Sequence, residues 1–130
     1  MAVSTSTLWD RLGGERILRK VVDEFVTLAI HDPKVNYTRG GRFPLDEQAV
    51  ADAKRTAFEI ISATAGGPYS YTGRSLREIH AGMRITDAEF DAIAADFREA
   101  LDRTGADPAD IDVAMQMVYV ARPEIVEVHA

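Results

Sequence analysis

Chemistry has few places to reside in this 130-residue chain. It has no cysteine, which excludes a thiolate nucleophile, a zinc–thiolate site, an iron–sulfur cluster and a disulfide framework together. Three histidines, His31, His80 and His129, remain as soft ligands. His80 is the informative one. Leu76, Ile79, His80 and Met83 fall at i, i+3, i+4 and i+7, so the spacing turns the imidazole toward the interior with apolar side chains. The capping box Ser75-Leu76-Arg77-Glu78 opens this short helix and Gly82 lies near its end. An inward imidazole needs a partner, either a backbone carbonyl, the commoner arrangement for a core histidine, or a metal ion. His31 closes a helix beside Asp32, where it complements the helix dipole, and His129 sits in a tail expected to fray. The neighbouring acids Asp23-Glu24 and Asp46-Glu47 diverge by about 100 degrees on a helix and read as solvated faces rather than paired acid–base groups.

The elements that must position these groups are helical, and strand alternation is nearly absent. Thr7-Leu8-Trp9-Asp10 opens a short first helix that Gly13-Gly14 stops. From Ile17 the apolar stripe Leu18, Val21, Val22, Phe25, Leu28 and Ala29 predicts a core-facing helix closed by His31-Asp32-Pro33. Residues 34–44 read as a loop carrying two aromatics, Tyr37 and Phe43. Asp46 caps a third helix with Val50, Ala53, Ala57, Phe58 and Ile61 inward, ended by Gly66-Gly67-Pro68. Tyr69 to Arg74 is irregular. After the His80 helix, Thr86-Asp87-Ala88-Glu89 is another capping box, followed by Phe90, Ile93, Ala94, Phe97 and Leu101 on one face until Gly105. Asp107-Pro108 starts the last helix, with Ile111, Ala114, Met115, Val118 and Tyr119 inward.

With 46% hydrophobic and 28% charged residues the chain has the composition of a folded globular protein, and its length suits one domain over residues 1–130. A formal charge of −6 with no Lys/Arg run opposes binding of a nucleic acid. No segment approaches the roughly 20 apolar residues of a membrane span. The first residues lack the basic start and apolar stretch of a signal peptide, so a cytoplasmic location is expected.

Several of these segments together resemble a known family. Leu8-Trp9-Asp10-Arg11-Leu12-Gly13-Gly14, Val21-Val22-Asp23-Glu24-Phe25, Gly66-Gly67-Pro68 with Tyr71-Thr72-Gly73, and Leu76 to Met83 followed by Ile85-Thr86-Asp87-Ala88-Glu89-Phe90 are similar, in order and spacing, to truncated haemoglobins of the first group. The resemblance implies an all-α, two-over-two helical sandwich around haem b (iron protoporphyrin IX), with His80 as the proximal iron ligand. Such a cofactor is a flat apolar body with two anionic propionates, and it needs two apolar walls, an axial imidazole and a polar or cationic rim. On the ligating side the resemblance points to Leu76, Met83, Ile85, Phe90 and Ile93, with Ile61 and Val118 completing the apolar lining. At the rim Arg77, Arg74 or Tyr71 could hold propionates.

The distal side departs from the family's pattern. The third-helix positions that often carry glutamine or a bulky gate are Ala53 and Ala57, and the second-helix position that is usually a tyrosine is Val26. None can donate a hydrogen bond. In the loop, Tyr37 or Phe43 could supply the aromatic that wedges against the cofactor, and Tyr37 alone there carries a hydroxyl. The implied function is binding of a diatomic gas, oxygen, carbon monoxide or nitric oxide, at an apolar distal site, with a reductase as a possible partner. Two other readings compete with it: a haem enzyme such as a nitric oxide dioxygenase or peroxidase, weakened by the missing donors, and a haem-free globin-like helical interaction or sensor module.

Overall fold

The computed structural model describes residues 6–129. In chain order the helices are α1 (Leu8–Leu12), α2 (Gly14–His31), α3 (Glu47–Ala65), α4 (Leu76–His80), α5 (Asp87–Arg103), α6 (Pro108–Val120) and α7 (Arg122–Ile125). The helix starts are chemically explicit. Thr7, Ser75 and Thr86 each complete a capping box with the acid three residues on, and Asp46 accepts the Ala49 amide. Each satisfies amides that the first turn leaves without a carbonyl partner.

The core is assembled on α2. Its Leu18, Val21, Val22, Val26 and Ala29 are buried, and it packs most extensively against α5, then against α3 and α1. The facing side of α5 buries Phe90, Ala94, Phe97, Ala100 and Leu101, its alanines admitting close approach of the two backbones. Fully burying a Leu or Phe is worth about 1.5–3 kcal/mol, so this helix pair is the principal source of cohesion. A second aromatic group joins α1 to α3: Trp9 meets Phe58 edge-on at 5.7 Å, Phe58 meets Tyr69 at 5.1 Å, and Arg19 lies 4.1 Å over the Phe58 ring. Gly67 is required there, since a Cβ would come within 2.5 Å of the Trp9 ring and of the Ser62 hydroxyl oxygen.

α2 follows α1 at once, because Gly13 at φ +110° ends α1 and starts α2 without a loop. Several local expectations are corrected. Asp107 makes no side-chain cap, leaving Pro108 at the first turn as the start signal for α6. Tyr119 is 49% exposed and faces outward with Val120 at 79%. The acids Asp23 and Glu24 do lie on solvated faces as expected, and each adds a surface ion pair, to Lys54 and Arg103. The tail does not fray: α7 forms, Val128 makes an isolated parallel bridge with Thr86, and the His129 Nδ1 lies 3.1 Å from Asp87.

One pair of groups works against stability. Asp96 on α5 has a buried Oδ2 that meets no donor, and the carboxylate of Asp32, at the end of α2, is its hydrogen-bonding neighbour. Two carboxylates can share that contact only if one holds a proton. Burial first, and Asp32 second, push the Asp96 carboxyl up to about 6, with Lys34 pulling weakly the other way. A carboxyl raised in the folded state from 3.8 favours folding most below that value, and the advantage is lost as pH rises through about 6. Asp96→Asn is therefore expected to raise the thermal midpoint at pH 7.5 and to leave it nearly unchanged at pH 4, as followed by circular dichroism. An equal shift at both pH values would refute the shared proton.

Candidate functional site

α4 is five residues long and buries none of them fully, so polar contacts join its packing on α7 in setting its position. Ser75 Oγ accepts the Glu78 amide at 3.1 Å and Glu78 Oε1 accepts the Ser75 amide at 3.0 Å, which starts the helix. At its end the His80 Nδ1 lies 2.7 Å from the Leu76 carbonyl oxygen. A carbonyl only accepts, so Nδ1 carries the proton and, in the neutral ring, Nε2 carries the lone pair. Nε2 has no hydrogen-bond partner among the described residues. His31 makes the same bond to Thr27 at 2.8 Å but is exposed on the surface. The hydrogen bond alone does not distinguish the two histidines; their surroundings do.

The apolar residues expected to line the site are incompletely covered. Leu76, Ile93, Ala53, Tyr37 and Phe43 are half-buried and lie outside the core cluster. Ala57, Ile61, Met83 and Val118 are half-buried at its margin, while Val26, Ile85 and Phe90 belong to it. α3 takes α2 and α1 as its principal packing partners and α4 takes α7, so α3 and α4 are not closed on one another. Two surface depressions, of about 530 and 350 Å³, are lined by other residues and include none of α4. Arg74 and Arg77 are exposed and have no carboxylate within 4.0 Å among the described residues. Tyr71 is a correction: its hydroxyl donates to the Arg74 carbonyl, so it has no proton left for an anion at the rim. The Tyr37 phenol makes no hydrogen bond among the described residues, and burial pushes its pKa above the ordinary value. One available imidazole nitrogen, half-covered apolar side chains and two unpaired guanidinium groups fit a flat apolar cofactor with an anionic edge.

Arg39 and Glu127, which the sequence does not single out, hold this region in place together with the capping-box acid Glu89. Arg39 donates from Nε and Nη2 to the Met83 carbonyl at 3.0 and 2.7 Å, and from Nη2 to the Arg84 carbonyl at 3.1 Å. Its Nη1 lies 2.8 Å from Glu89 Oε1, off the hydrogen-bond direction, so that contact is an ion pair. Glu89 also accepts from Asn36 and from the Thr86 amide; burial opposes its ionisation, but these partners outweigh it and hold the carboxyl below its usual value. From the other side Glu127 accepts the Gly82 amide at 3.1 Å and the Arg84 amide at 2.7 Å. Among the described residues three non-glycines have positive φ, Asn36, Arg39 and Arg84, and all belong to this network. A left-handed residue costs roughly 1–2 kcal/mol and persists only where its neighbours over-determine it.

Comparison with known proteins decides the family. A family model described as "Bacterial-like globin" matches residues 7–126. The chain belongs to the bacterial-like globin family. It is 27% identical, over 92% of its own length and 84% of the relative's, to the Group 1 truncated hemoglobin GlbN of Mycolicibacterium paratuberculosis. Its fold matches the truncated hemoglobin from Tetrahymena pyriformis with a TM-score of 0.82 at 23% identity, covering 93% of this chain and 98% of that one. It also matches the 2/2 hemoglobin from Synechococcus sp. PCC 7002, with a TM-score of 0.80, 24% identity, and coverage of 93% and 98%. The two-over-two globin fold and the truncated-haemoglobin resemblance both stand, and membership of a globin family implies haem-based gas binding. No helix among the described residues is long and apolar enough to cross a membrane.

Glu127 supplies a test of the turn that follows His80. The amides of Gly82 and Arg84 hold its carboxyl below 4.5, so its contribution is present above that pH and lost as pH falls through the lower folded-state value. Glu127→Gln is expected to lower the thermal midpoint at pH 7, with the gap to the parent protein closing as the pH falls below 4.5. A gap that stays constant with pH would show that the carboxylate charge contributes nothing.

Proposed function

We propose that this globin binds a diatomic gas at haem b, held through His80 Nε2 as the proximal ligand, in an apolar distal pocket to which α2 and α3 bring no hydrogen-bond donor. The observation that carries the reading is the Nδ1 bond to the Leu76 carbonyl, which leaves Nε2 as the basic nitrogen on a half-buried ring. Haem would supply the iron that takes the gas. The chain's own part is to orient the imidazole, keep its tautomer, exclude water with Leu76, Met83, Ile93 and Phe90, and offer Arg74 and Arg77 to the anionic edge. Val26, Ala53 and Ala57 would line the gas side, with Tyr37 and Phe43 in the loop and Ile61 and Val118 completing the apolar walls.

If His80 is the axial ligand, His80→Ala loses the coordinate bond and keeps only apolar contacts. The variant should lose haem on gel filtration or regain its spectrum on addition of imidazole, while His31→Ala retains the parent absorption. Wild-type Soret absorption and retention in His80→Ala would sink the assignment. A parent protein that takes up no haem would favour a haem-free module instead.

The gas side carries a second prediction. A hydrogen bond to a charged acceptor is worth about 1.5–3 kcal/mol, or roughly 10- to 150-fold in a dissociation rate. Dioxygen polarises strongly on binding and carbon monoxide little, so a site lined by Val26, Ala53 and Ala57 should release oxygen fast and discriminate poorly against carbon monoxide. Val26→Tyr is expected to slow oxygen release and to change carbon monoxide release far less, as read by stopped-flow. Slow oxygen release in the parent protein, abolished in Tyr37→Phe, would instead assign the donor to Tyr37.

A further inference from the structure

The turn that follows His80 is gripped from both sides by side chains distant in sequence. Its amides at Gly82 and Arg84 are taken by Glu127, and its carbonyls at Met83 and Arg84 by Arg39. Within it the Met83 amide donates to the His80 carbonyl at 3.1 Å, so the turn continues directly from the histidine's own peptide. Arg39 belongs to the segment between α2 and α3, the one that carries Tyr37 and Phe43. Its side chain is only 12% exposed, and Glu89, at 16%, fixes its far end to the first turn of α5. A guanidinium fork can hold two carbonyls through Nε and Nη2 while its other nitrogen pairs with a carboxylate, a spread that a compact ammonium does not offer.

We propose that Arg39 is a positioning residue for His80: it sets the height and tilt of the imidazole by locking the Met83–Arg84 peptides to the loop that carries Tyr37 and Phe43. It acts through the backbone and does not touch the histidine ring. The two walls of the site are thereby coupled, so a movement of the loop is transmitted to the turn holding the axial ligand. Positive φ at Asn36, Arg39 and Arg84 supports this, because all three strained residues sit where loop and turn meet and at no other described non-glycine position. The inference rests on the reading of His80 as the proximal ligand.

The test has two arms on full-length protein, with Arg39→Met as the variant and Arg39→Lys as the one that keeps the charge but loses the fork. In the haem-free protein, hydrogen exchange at the amides of residues 82–84 and 37–43 is expected to speed up by about 10- to 150-fold in Arg39→Met, the range for losing a charged hydrogen bond. Arg39→Lys should fall between the two, and both should keep the parent far-ultraviolet circular dichroism. In the haem-loaded ferrous protein, resonance Raman should show a shifted and broadened iron–histidine stretching band in Arg39→Met. A merely structural contact would lower stability without moving that band. Unchanged exchange, or faster exchange with an unchanged band, overturns the positioning role. If Arg39→Met does not fold, the same two readouts on Arg39→Lys decide. Failure of the parent protein to take up haem overturns the reading of His80 and this role with it, whereas an unchanged band in a haem-loaded parent–variant pair overturns the role alone.

Discussion

A helix of five residues is too short to hold itself together in water, and α4 buries none of its side chains fully, yet it carries the one half-buried imidazole of the described chain. The surrounding structure answers that constraint. Ser75 and Glu78 close the helix at its start, and Arg39 and Glu127 take the peptide groups beyond its end. The hydrophobic work is done elsewhere, in the packing of α2 on α5. Such a division lets apolar side chains such as Leu76, Ile93 and Met83 stay half-covered without loss of the fold, because cohesion does not depend on closing them.

Local signals made most of the helices legible from the sequence. The three capping boxes and the Asp46 cap are read from four consecutive residues, and the structure places each at the start of a helix. The α2 and α5 stripes give the buried faces because their period is fixed by helix geometry. α6 misled at Tyr119: its apolar residues surround the helix, so no stripe marks an inward side. Spacing singles out His80 and makes a backbone carbonyl an expected partner for its ring; the structure adds that the carbonyl is that of Leu76, one turn back.

What the sequence could not disclose are pairings across long separations. Arg39 meets Met83 and Arg84 from more than 40 positions away, and Glu127 meets Gly82 and Arg84 from a similar distance. An arginine among loop glycines and a glutamate near the end of an acidic chain carry no periodicity. The Asp32 and Asp96 contact is hidden for the same reason, and it runs against the usual rule that buried charges find opposite partners. α7 and the Val128 bridge were missed because a four-residue helix and a single bridge leave no pattern long enough to read. The globin relationship became visible from several short segments in order, which is information about descent rather than about contacts.

The attachment of the tail at Thr86, Asp87 and Gly82 makes the last described residues part of the architecture rather than an appendage. Severing the backbone after Val126 would leave α6 and α2 intact and release the peptide that emerges from the histidine. A bulky fusion joined at this end would pull on the same peptide. A tag placed before α1 leaves it alone, so the choice of terminus for labelling or surface attachment decides whether the molecule is measured in its native geometry.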